Sequence, residues 1–360
     1  MENVVYSIGA AVIGLGLLIV FHEFGHFLLA KLSGVGVLTF SVGFGPKLWV
    51  RKKGETEYAL SAFPLGGYVK MVGEDPDEEV RQEDIEKSFA HKSLLKRIAI
   101  VVAGPGFNLL LAMFLLMVVF TFYGVPVMST QVSGVEKGSP AEQAGIIKGD
   151  RIQAIDGKPV KEWEELSRAI KSSGGKVLNL QVSRGADTVN VKVQPTQKEG
   201  RTVFGERKDD WIIGIGSQVS IEKGNPSLAV GRAVYQTYDY AKLTLMGLFK
   251  MVTGDVSPRN IGGPILIAQM AGQQAQEGLG SFLAFLAVLS INLGVLNLLP
   301  VPVLDGGHLL FFLVEAVIRK PVAIKYREMA QQVGICLLAL LMIYAFYNDI
   351  VRFFEKQVGG

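Results

Sequence analysis

The apolar residues of this chain are concentrated in four long runs, and these runs predict membrane-spanning helices. A helix needs about 20 residues to cross a bilayer. Runs near that length extend over Val4–Ala30, Ile98–Tyr123, Phe282–Leu299 and Val333–Tyr347, of which the last is the shortest. A hydrophobic fraction of 49% and a mean hydropathy of +0.34 agree with a chain that lipid partly solvates. We therefore expect a polytopic α-helical membrane protein with about four transmembrane helices.

A second pattern, between the first two apolar runs, predicts a β-hairpin over residues 37–72. Aromatic and aliphatic residues alternate with polar ones there, and Lys52-Lys53-Gly54-Glu55 has the composition of a turn. One interpretation is an amphipathic hairpin that lies against the membrane. The other is that its open edge binds an extended peptide. The candidate residues for that edge are Leu60, Ser61, Ala62 and Phe63.

The polar middle of the chain predicts a separate α+β domain. Residues 125–225 contain turn-rich stretches such as Gly138–Gly145, a helix-like Glu162–Lys171 and strand-like runs at Val177–Val182 and Val189–Val193. This order resembles a bacterial PDZ domain. Residues 226–253 show helical spacing of apolar residues and predict an interfacial amphipathic helix. Residues 1–124 and 254–360 then form the two parts of the membrane core.

Charge indicates orientation rather than a nucleic-acid partner. The net charge is only +3 and there is no basic stripe. Lys and Arg are concentrated between the first two spans and between the last two, so the positive-inside rule places both these loops in the cytosol. Both termini and the PDZ domain are then extracytoplasmic. No basic residue precedes the first run and no small-residue cleavage pattern follows it, which favours a retained helix over a signal peptide.

The candidate chemistry begins with His22-Glu23-Phe24-Gly25-His26 inside the first span. Residues at i and i+4 of a helix share one face, about 6 Å apart. Two imidazoles there can bind one Zn²⁺, with Glu23 beside them as general base. Ionisable groups at membrane depth usually have a function. The alternative is two histidines that pack between helices, with Glu23 paired to one of them.

A catalytic zinc usually has a third protein ligand, and Asp305 is the best candidate. It follows Pro300 and Pro302, which break the third apolar run, and we count it as part of the third spanning helix. Unwound backbone at such depth is tolerated only inside protein or beside a water-filled cavity. The alternative for Asp305 is an ordinary turn residue before Gly306 and Gly307.

Together these motifs resemble the site-2 protease family of intramembrane zinc metalloproteases, in its bacterial regulator-of-sigma-factor form with a single PDZ domain. The resemblance rests on the His-Glu motif, on Gly104-Pro105-Gly106-Phe107-Asn108 in the second span, on the PDZ domain and on the motif from Asn297 to Gly306. It implies one Zn²⁺ held by His22, His26 and Asp305, with Glu23 as base. It also implies that Asn297, Pro300, Pro302 and Asn108 contact or border the substrate.

The implied activity is hydrolysis of a peptide bond in or near the membrane helix of a single-span protein, such as a trimmed anti-sigma factor or a remnant signal peptide. The implied setting is the bacterial inner membrane, with the PDZ groove binding a peptide or excluding large substrates. Two alternatives belong to other classes. A metal-binding scaffold has no need of Glu23, and a zinc transporter needs polar residues along several spans, whereas here they gather at one depth.

Overall fold

The computed structural model describes residues 2–74, 80–202, 207–222 and 226–358. Its helices are α1 (Glu2–Leu32), α2 (Leu94–Phe122), α3 (Pro140–Gln143), α4 (Trp163–Ser172), α5 (Pro226–Thr253), α6 (Pro264–Glu277), α7 (Leu279–Asn297), α8 (Asp305–Ile318) and α9 (Ile324–Val358). Its strands are β1 (Val37–Lys53), β2 (Thr56–Met71), β3 (Val125–Val135), β4 (Arg151–Ile155), β5 (Lys158–Pro159), β6 (Leu178–Arg184), β7 (Asp187–Val193), β8 (Thr196–Arg201), β9 (Arg207–Ile212) and β10 (Ile215–Glu222).

The chain divides into two compact units. The first combines Met1–Val119, Pro226–Phe249 and Ser257–Gly360, and the second combines Phe120–Asn225 and Lys250–Val256. Four helices of the described chain are long and apolar enough to cross a membrane, as the hydropathy pattern predicts. They cover Val4–Leu32, Leu94–Phe122, Leu279–Asn297 and Ile324–Glu355.

The first unit contains two helices that the hydropathy pattern does not reveal. α6 packs along α1, where an added Cβ on Gly272 would lie 1.9 Å from Ser7 Oγ. α8 follows the break after α7. The expectation that Asp305 belongs to the third spanning helix is therefore wrong. α7 ends at Asn297, and Asp305 is the first residue of α8.

The predicted hairpin is present, and its strands pair in an unexpected way. β1 and β2 are antiparallel, and Lys47–Lys53 pairs with Thr56–Ser61 around the turn at Gly54. The first part of β1, Val37–Val42, pairs with two stretches of β2 at once. One is Glu57–Leu60 and the other is Gly67–Met71. Glu57–Leu60 therefore has neighbours on both sides, whereas Gly67–Met71 pairs along one side only within the described sheet.

The base of the hairpin joins the ends of α1 and α2 in one apolar cluster. Its buried members are Ala30, Val35, Val37, Val69, Met71 and Ile100. Burial of a large aliphatic side chain contributes about 1.5–3 kcal/mol relative to exposure. The cluster thus fixes the start of the hairpin against the helix that carries the two histidines.

The second unit is an α+β sheet with the strand order β10-β3-β4-β6-β7, and β5 pairs with β4. α4 covers its core with Leu166 and Ile170, and Glu162 and Glu165 form a capping box at its start. The sequence pattern predicts this helix and the β6–β7 hairpin. It does not reveal β10 or the β8–β9 hairpin, whose polar composition lacks the alternation of a half-buried strand.

α5 has the bounds expected for the amphipathic helix. Its buried residues are the small Ala229, Ala233 and Thr237, which recur every four positions along one face. Thr244 on the same helix donates a hydrogen bond of 2.7 Å to Asn292 Oδ1 on α7. The exposed positions include Val230, Val234, Tyr238 and Leu245. That an interface between lipid and water covers this apolar face stays a prediction.

Candidate metal centre

Two buried histidines on α1 face the same point. The ring centroids of His22 and His26 are 4.9 Å apart, and their Nε2 atoms are 3.3 Å apart. Each residue is 9% exposed. Positions separated by four residues share a helix face, so this convergence follows directly from the spacing.

Asp305 brings a carboxylate to the same point from the start of α8. Its Oδ2 lies 3.2 Å from His22 Nε2, and its Oδ1 lies 3.5 Å from His26 Nε2. One ligand atom from each of the three residues lies within 4.8 Å of the others, a grouping that could hold a metal ion. The structure therefore brings together the three residues that the sequence predicts as ligands.

The connection between α7 and α8 is tightly packed. Val303 has φ +102°, a rare and strained conformation for a β-branched residue. Added Cβ atoms on Gly306 and Gly307 would approach carbonyl oxygens of this connection to 2.1 and 2.5 Å. The two glycines therefore allow close backbone packing at the start of a helix. Their composition alone would suggest a loop.

α2 holds the histidines from the other side. An added Cβ on Gly104 would lie 2.2 Å from His26 Nε2, and one on Gly25 would lie 2.3 Å from a carbonyl oxygen of α2. His26 Nδ1 is 2.8 Å from the Ile100 carbonyl oxygen. A carbonyl oxygen can only accept, so Nδ1 carries the proton. The lone pair is then on His26 Nε2, which faces Asp305.

Asn108 lies against the other histidine, His22. Its Nδ2 is 3.0 Å from His22 Nδ1, and its side chain is fully buried. The sequence predicts that Asn108 borders the substrate. In the structure it contacts His22 and does not itself line the adjoining cavity, and its contact with a substrate stays a prediction.

A cavity of about 860 Å³ opens beside the three candidate ligands. Glu23, His22, His26 and Asp305 all line it. Glu23 is half-buried and packs against β2, since an added Cβ on Gly67 would lie 3.1 Å from its Cγ. A cavity of this size is within the range of small-ligand sites. Its volume is sufficient for a short extended peptide and water.

The expectation of an open edge is wrong for Leu60, whereas Ser61 and Phe63 each pair on one side only within the described sheet, so that an open edge at Ser61–Phe63 stays a prediction. Leu60 pairs with both Val42 and Trp49, Ser61 pairs with Lys47, and Phe63 pairs with Phe44. The sequence cannot reveal this, because the long β1 bends and covers both sides of Glu57–Leu60. Gly67, Tyr68, Val69 and Met71 line the cavity instead.

The remaining predicted contacts lie near the cavity. Asn297, the last residue of α7, lines it. Pro300 and Pro302 belong to the connection whose next residues, Val303 and Leu304, also line it. Their contact with a substrate stays a prediction.

Two features of the cavity have no counterpart in the sequence analysis. Arg97 binds Glu315 through both terminal guanidinium nitrogens, with Nη1 3.1 Å from Oε2, and its guanidinium carbon is 5.0 Å from the centre of the Phe312 ring. His308 lines the same cavity one turn after Asp305. Sequence rules for charge pairs consider residues three or four positions apart on one helix. They cannot find Arg97 and Glu315, because these two residues are far apart in the sequence.

The donor set suits Zn²⁺. Two imidazole nitrogens and one carboxylate oxygen are a usual three-ligand set at catalytic zinc, which leaves one position open. Asp305 Oδ2 is buried and accepts no hydrogen bond from the residues the structure describes. A buried carboxylate oxygen that faces a ring nitrogen at 3.2 Å without a hydrogen bond between them is costly, and a cation among the three side chains removes that cost.

Comparison with known proteins agrees with this arrangement. The sequence profile of peptidase family M50 matches residues 10–341. A protein of Rhizobium meliloti, named as a zinc metalloprotease, is 37% identical over 97% of this chain and 98% of its own. A similarly named protein of Neisseria meningitidis is 33% identical over 96% of this chain and 99% of its own. The PDZ domain of a Listeria innocua SdrC-like protein matches 25% of this chain and 92% of that domain, at 26% identity and a TM-score of 0.20.

The fold and the site therefore define a multi-pass membrane metalloprotease whose metal is Zn²⁺. The chain belongs to peptidase family M50, the site-2 proteases.

Proposed function

We propose that this protein cuts a peptide bond within or near the transmembrane helix of single-span membrane proteins. The observation that carries the proposal is the meeting of His22, His26 and Asp305 beside a cavity in a unit built from apolar helices. These three residues hold the Zn²⁺, and Glu23 is the general base.

Glu23 does the proton transfer in this proposal. When bound, Zn²⁺ would lower the pKa of a coordinated water and polarise the scissile carbonyl. The Glu23 carboxylate lines the cavity beside the three ligands. It takes a proton from the water whose oxygen forms the new bond to the scissile carbonyl carbon. It returns that proton to the nitrogen as the C–N bond breaks, so that an amine leaves rather than an amide anion. Asp305 stays ionised and keeps the two imidazoles oriented.

The substrate helix unwinds before it is cut. Helical peptide carbonyls are engaged in the helix's own hydrogen bonds, so a water cannot easily attack them. Gly67–Met71 lines the cavity and pairs with β1 along one side within the described sheet. An extended segment can add along the other side, in place of the Glu74 carboxylate that accepts a hydrogen bond from the Met71 amide. Asn297, which also lines the cavity, offers a side-chain amide. Both would hold the unwound segment against Glu23.

The second unit is proposed as a PDZ domain that controls access. A cavity of about 320 Å³ lies between α4 and the start of β10, lined by residues that include Trp163, Ile170, Trp211 and Ile213. Such a groove can bind a peptide, or the domain can exclude large extracytoplasmic substrates. Suitable substrates are an anti-sigma factor already trimmed on its outer side or a remnant signal peptide. We place the protein in the bacterial inner membrane, with both termini and this domain outside.

The central test is a cleavage assay on proteoliposomes that contain the full-length protein and a fluorescent single-span substrate. Glu23→Gln should retain zinc and lose about 10²–10⁴ of the cleavage rate, because only the base is removed. Asp305→Asn should lower both zinc content and cleavage. Wild-type cleavage by Glu23→Gln would rule out the assigned base, and zinc transport into the vesicles without cleavage would favour a transporter.

The proposed orientation has its own test. On a Cys336→Ser background, a Ser172→Cys variant carries one thiol on an exposed position of the second unit. Intact spheroplasts should allow a membrane-impermeant maleimide to label it. Labelling only after lysis would place the unit in the cytosol and refute the proposed topology.

A further inference from the structure

Asn108 is a buried amide whose two ends have different surroundings. Nδ2 lies 3.0 Å from His22 Nδ1, whereas Oδ1 is buried and accepts no hydrogen bond from the described part of the chain. The residue is 0% exposed. Its backbone carbonyl accepts a hydrogen bond of 2.7 Å from Ser290 on α7, which fixes this turn of α2 against the neighbouring helix.

The chemistry of His22 decides which end of the amide should face it. His22 Nε2 points at Asp305 and His26, so binding a metal there requires the lone pair on Nε2. The ring proton then belongs to Nδ1, and an N–H group needs an acceptor. An amide nitrogen cannot accept, whereas an amide oxygen can. The oxygen and nitrogen of an amide are nearly the same size, so a half turn of the side chain exchanges them without repacking.

We propose that Asn108 is a positioning residue whose Oδ1 accepts the His22 Nδ1 proton and so fixes the metal-binding tautomer. This rests on the proposed role of His22 as a zinc ligand. Asn108 then does for His22 what the Ile100 carbonyl does for His26. Both acceptors come from α2, so one helix orients both imidazoles. Such outer hydrogen bonds commonly contribute 10- to 100-fold to metal affinity.

The two amide orientations select opposite tautomers of the same ring. With Nδ2 facing His22, the ring nitrogen Nδ1 must accept, and the proton moves to Nε2, where it points at Asp305 Oδ2. That arrangement closes the site with a hydrogen bond between the two ligands. With Oδ1 facing His22, both ligand atoms are free to bind a cation. The side-chain amide is therefore coupled to metal occupancy.

Zinc affinity tests this role independently of cleavage. The full-length protein is purified in detergent, and the zinc dissociation constant is measured by competition with a chromogenic chelator. Asn108→Leu keeps the volume but has no acceptor, and it should bind zinc 10- to 100-fold more weakly. Asn108→Asp keeps an oxygen opposite Nδ1 and should stay within about threefold of wild type. The matched control is Asn292→Leu, since Asn292 pairs with Thr244 in the same unit.

The results separate this role from simpler ones. Wild-type zinc affinity in Asn108→Leu, or equal weakening in Asn108→Asp, would overturn it. If Asn108→Leu does not fold, Asn108→Ala takes its place, because it also lacks an acceptor and should bind zinc 10- to 100-fold more weakly than Asn108→Asp. A His22→Ala protein is measured in parallel. Retention of zinc by that variant would refute the ligand assignment itself, whereas zinc loss only in His22→Ala would refute only the role of Asn108.

Discussion

Glycine at position 104 allows α2 to come close to the two histidines. A Cβ at that position would lie 2.2 Å from His26 Nε2 and 2.9 Å from His22 Cε1, which is closer than non-bonded atoms can approach. The same motif contains Gly106, around which there is open space. Two glycines of one short motif therefore have different roles, which their spacing alone does not reveal.

We predict that Gly104→Ala displaces the imidazoles and lowers both zinc content and cleavage by at least tenfold. Gly106→Ala is the matched control. It should keep both and should favour the helix slightly, since alanine is about 1 kcal/mol better than glycine within a helix. Metal analysis of the purified variants and the proteoliposome assay measure the two effects. An equal loss of zinc and of cleavage in both variants would show that the two glycines only provide backbone flexibility.

At the scale of single residues, the sequence was informative where spacing within one element determines geometry. His22, Glu23 and His26 were predictable because four residues complete about one helical turn. The outcome for Leu60–Phe63 was different, because β1 pairs with two stretches of β2 and only the tertiary path of the strand shows which edge stays free. Asn108 was recognised as polar, but not as a partner of His22, because that depends on how α2 is rotated.

At the scale of the helices, one residue of α9, Asp349, makes three hydrogen bonds to the start of α6. The Asp349 carboxylate accepts hydrogen bonds from the backbone amides of Gly263, Ile265 and Leu266, at 2.9, 3.0 and 3.1 Å. These amides are at the start of α6, where helical N–H groups have no partner within the helix. A residue late in the chain thus caps a helix that packs on α1.

We predict that Asp349→Ala lowers the free energy of unfolding by about 1–3 kcal/mol, because it leaves buried amides without an acceptor. Asp349→Asn keeps one oxygen and should lose less. Thermal unfolding of the detergent-solubilised protein measures both. An Ala variant as stable as wild type would mean that water replaces the carboxylate at this helix start.

A pH dependence is expected in the second unit. The Arg184 guanidinium and the Ile147 amide hold the pKa of the buried Asp150 carboxyl below its usual value. Because the folded pKa lies below the unfolded value of about 3.9, the contribution is complete above that pH and is lost as pH falls through the folded pKa. Hydrogen-exchange protection of peptides covering β4 and β6 in the full-length protein, corrected for the intrinsic exchange rate at each pH, should therefore fall below about pH 4.

Asp150→Asn is the control for this titration. It should destabilise the unit at neutral pH by about 1–2 kcal/mol, towards the lower end because the Arg184 side chain is partly exposed. It should also remove the acid dependence of these peptides. A wild-type pH profile in the variant would assign the titration to other carboxylates.

The helices missed by the sequence analysis share a physical reason. α6 has 14 residues and is rich in Gln, so a search for apolar runs of about 20 residues passes over it, although its Ala and Gln residues favour a helix. α8 begins with Asp-Gly-Gly, which is typical of a turn, and it forms because the glycines fit against the carbonyl oxygens of the preceding connection. Long apolar runs were recognisable, since few other structures bury about 20 apolar residues in sequence.

For the whole molecule, the size of the cavity limits what can reach Glu23. The cavity of about 860 Å³ accommodates an extended segment, and only an unwound segment presents a free peptide carbonyl, because an intact helix engages its carbonyls in its own hydrogen bonds. The stability of the substrate helix should therefore control the rate more than its side chains do. This explains how one site could cut several single-span proteins.

We predict that replacing two Leu in the middle of a substrate span by Gly accelerates cleavage about tenfold. Two glycines weaken the helix by about 2 kcal/mol, and part of that appears in the unwinding step. A substrate with two Ala at the same positions is the control for side-chain size and should be cut no faster than the original. Equal rates for the Gly and Ala substrates in proteoliposomes would contradict the requirement for unwinding.

The proposed ligands also connect the two ends of the chain. Zinc bound between α1 and α8 should stabilise the folded unit by about 2.7 kcal/mol at a free concentration 100-fold above the dissociation constant. The unfolding midpoint of wild type should rise with free zinc, and that of Asp305→Asn should not. An identical rise in both would place the stabilising zinc elsewhere.

This separation also affects biosynthesis. The histidines enter the membrane with the first helix, whereas Asp305 is translated only when most of the chain has been made. A ribosome-bound or truncated chain that ends before α8 has the base and two imidazoles but an incomplete metal site. If the proposed ligands hold the zinc, newly made chains should stay inactive until α8 has been made.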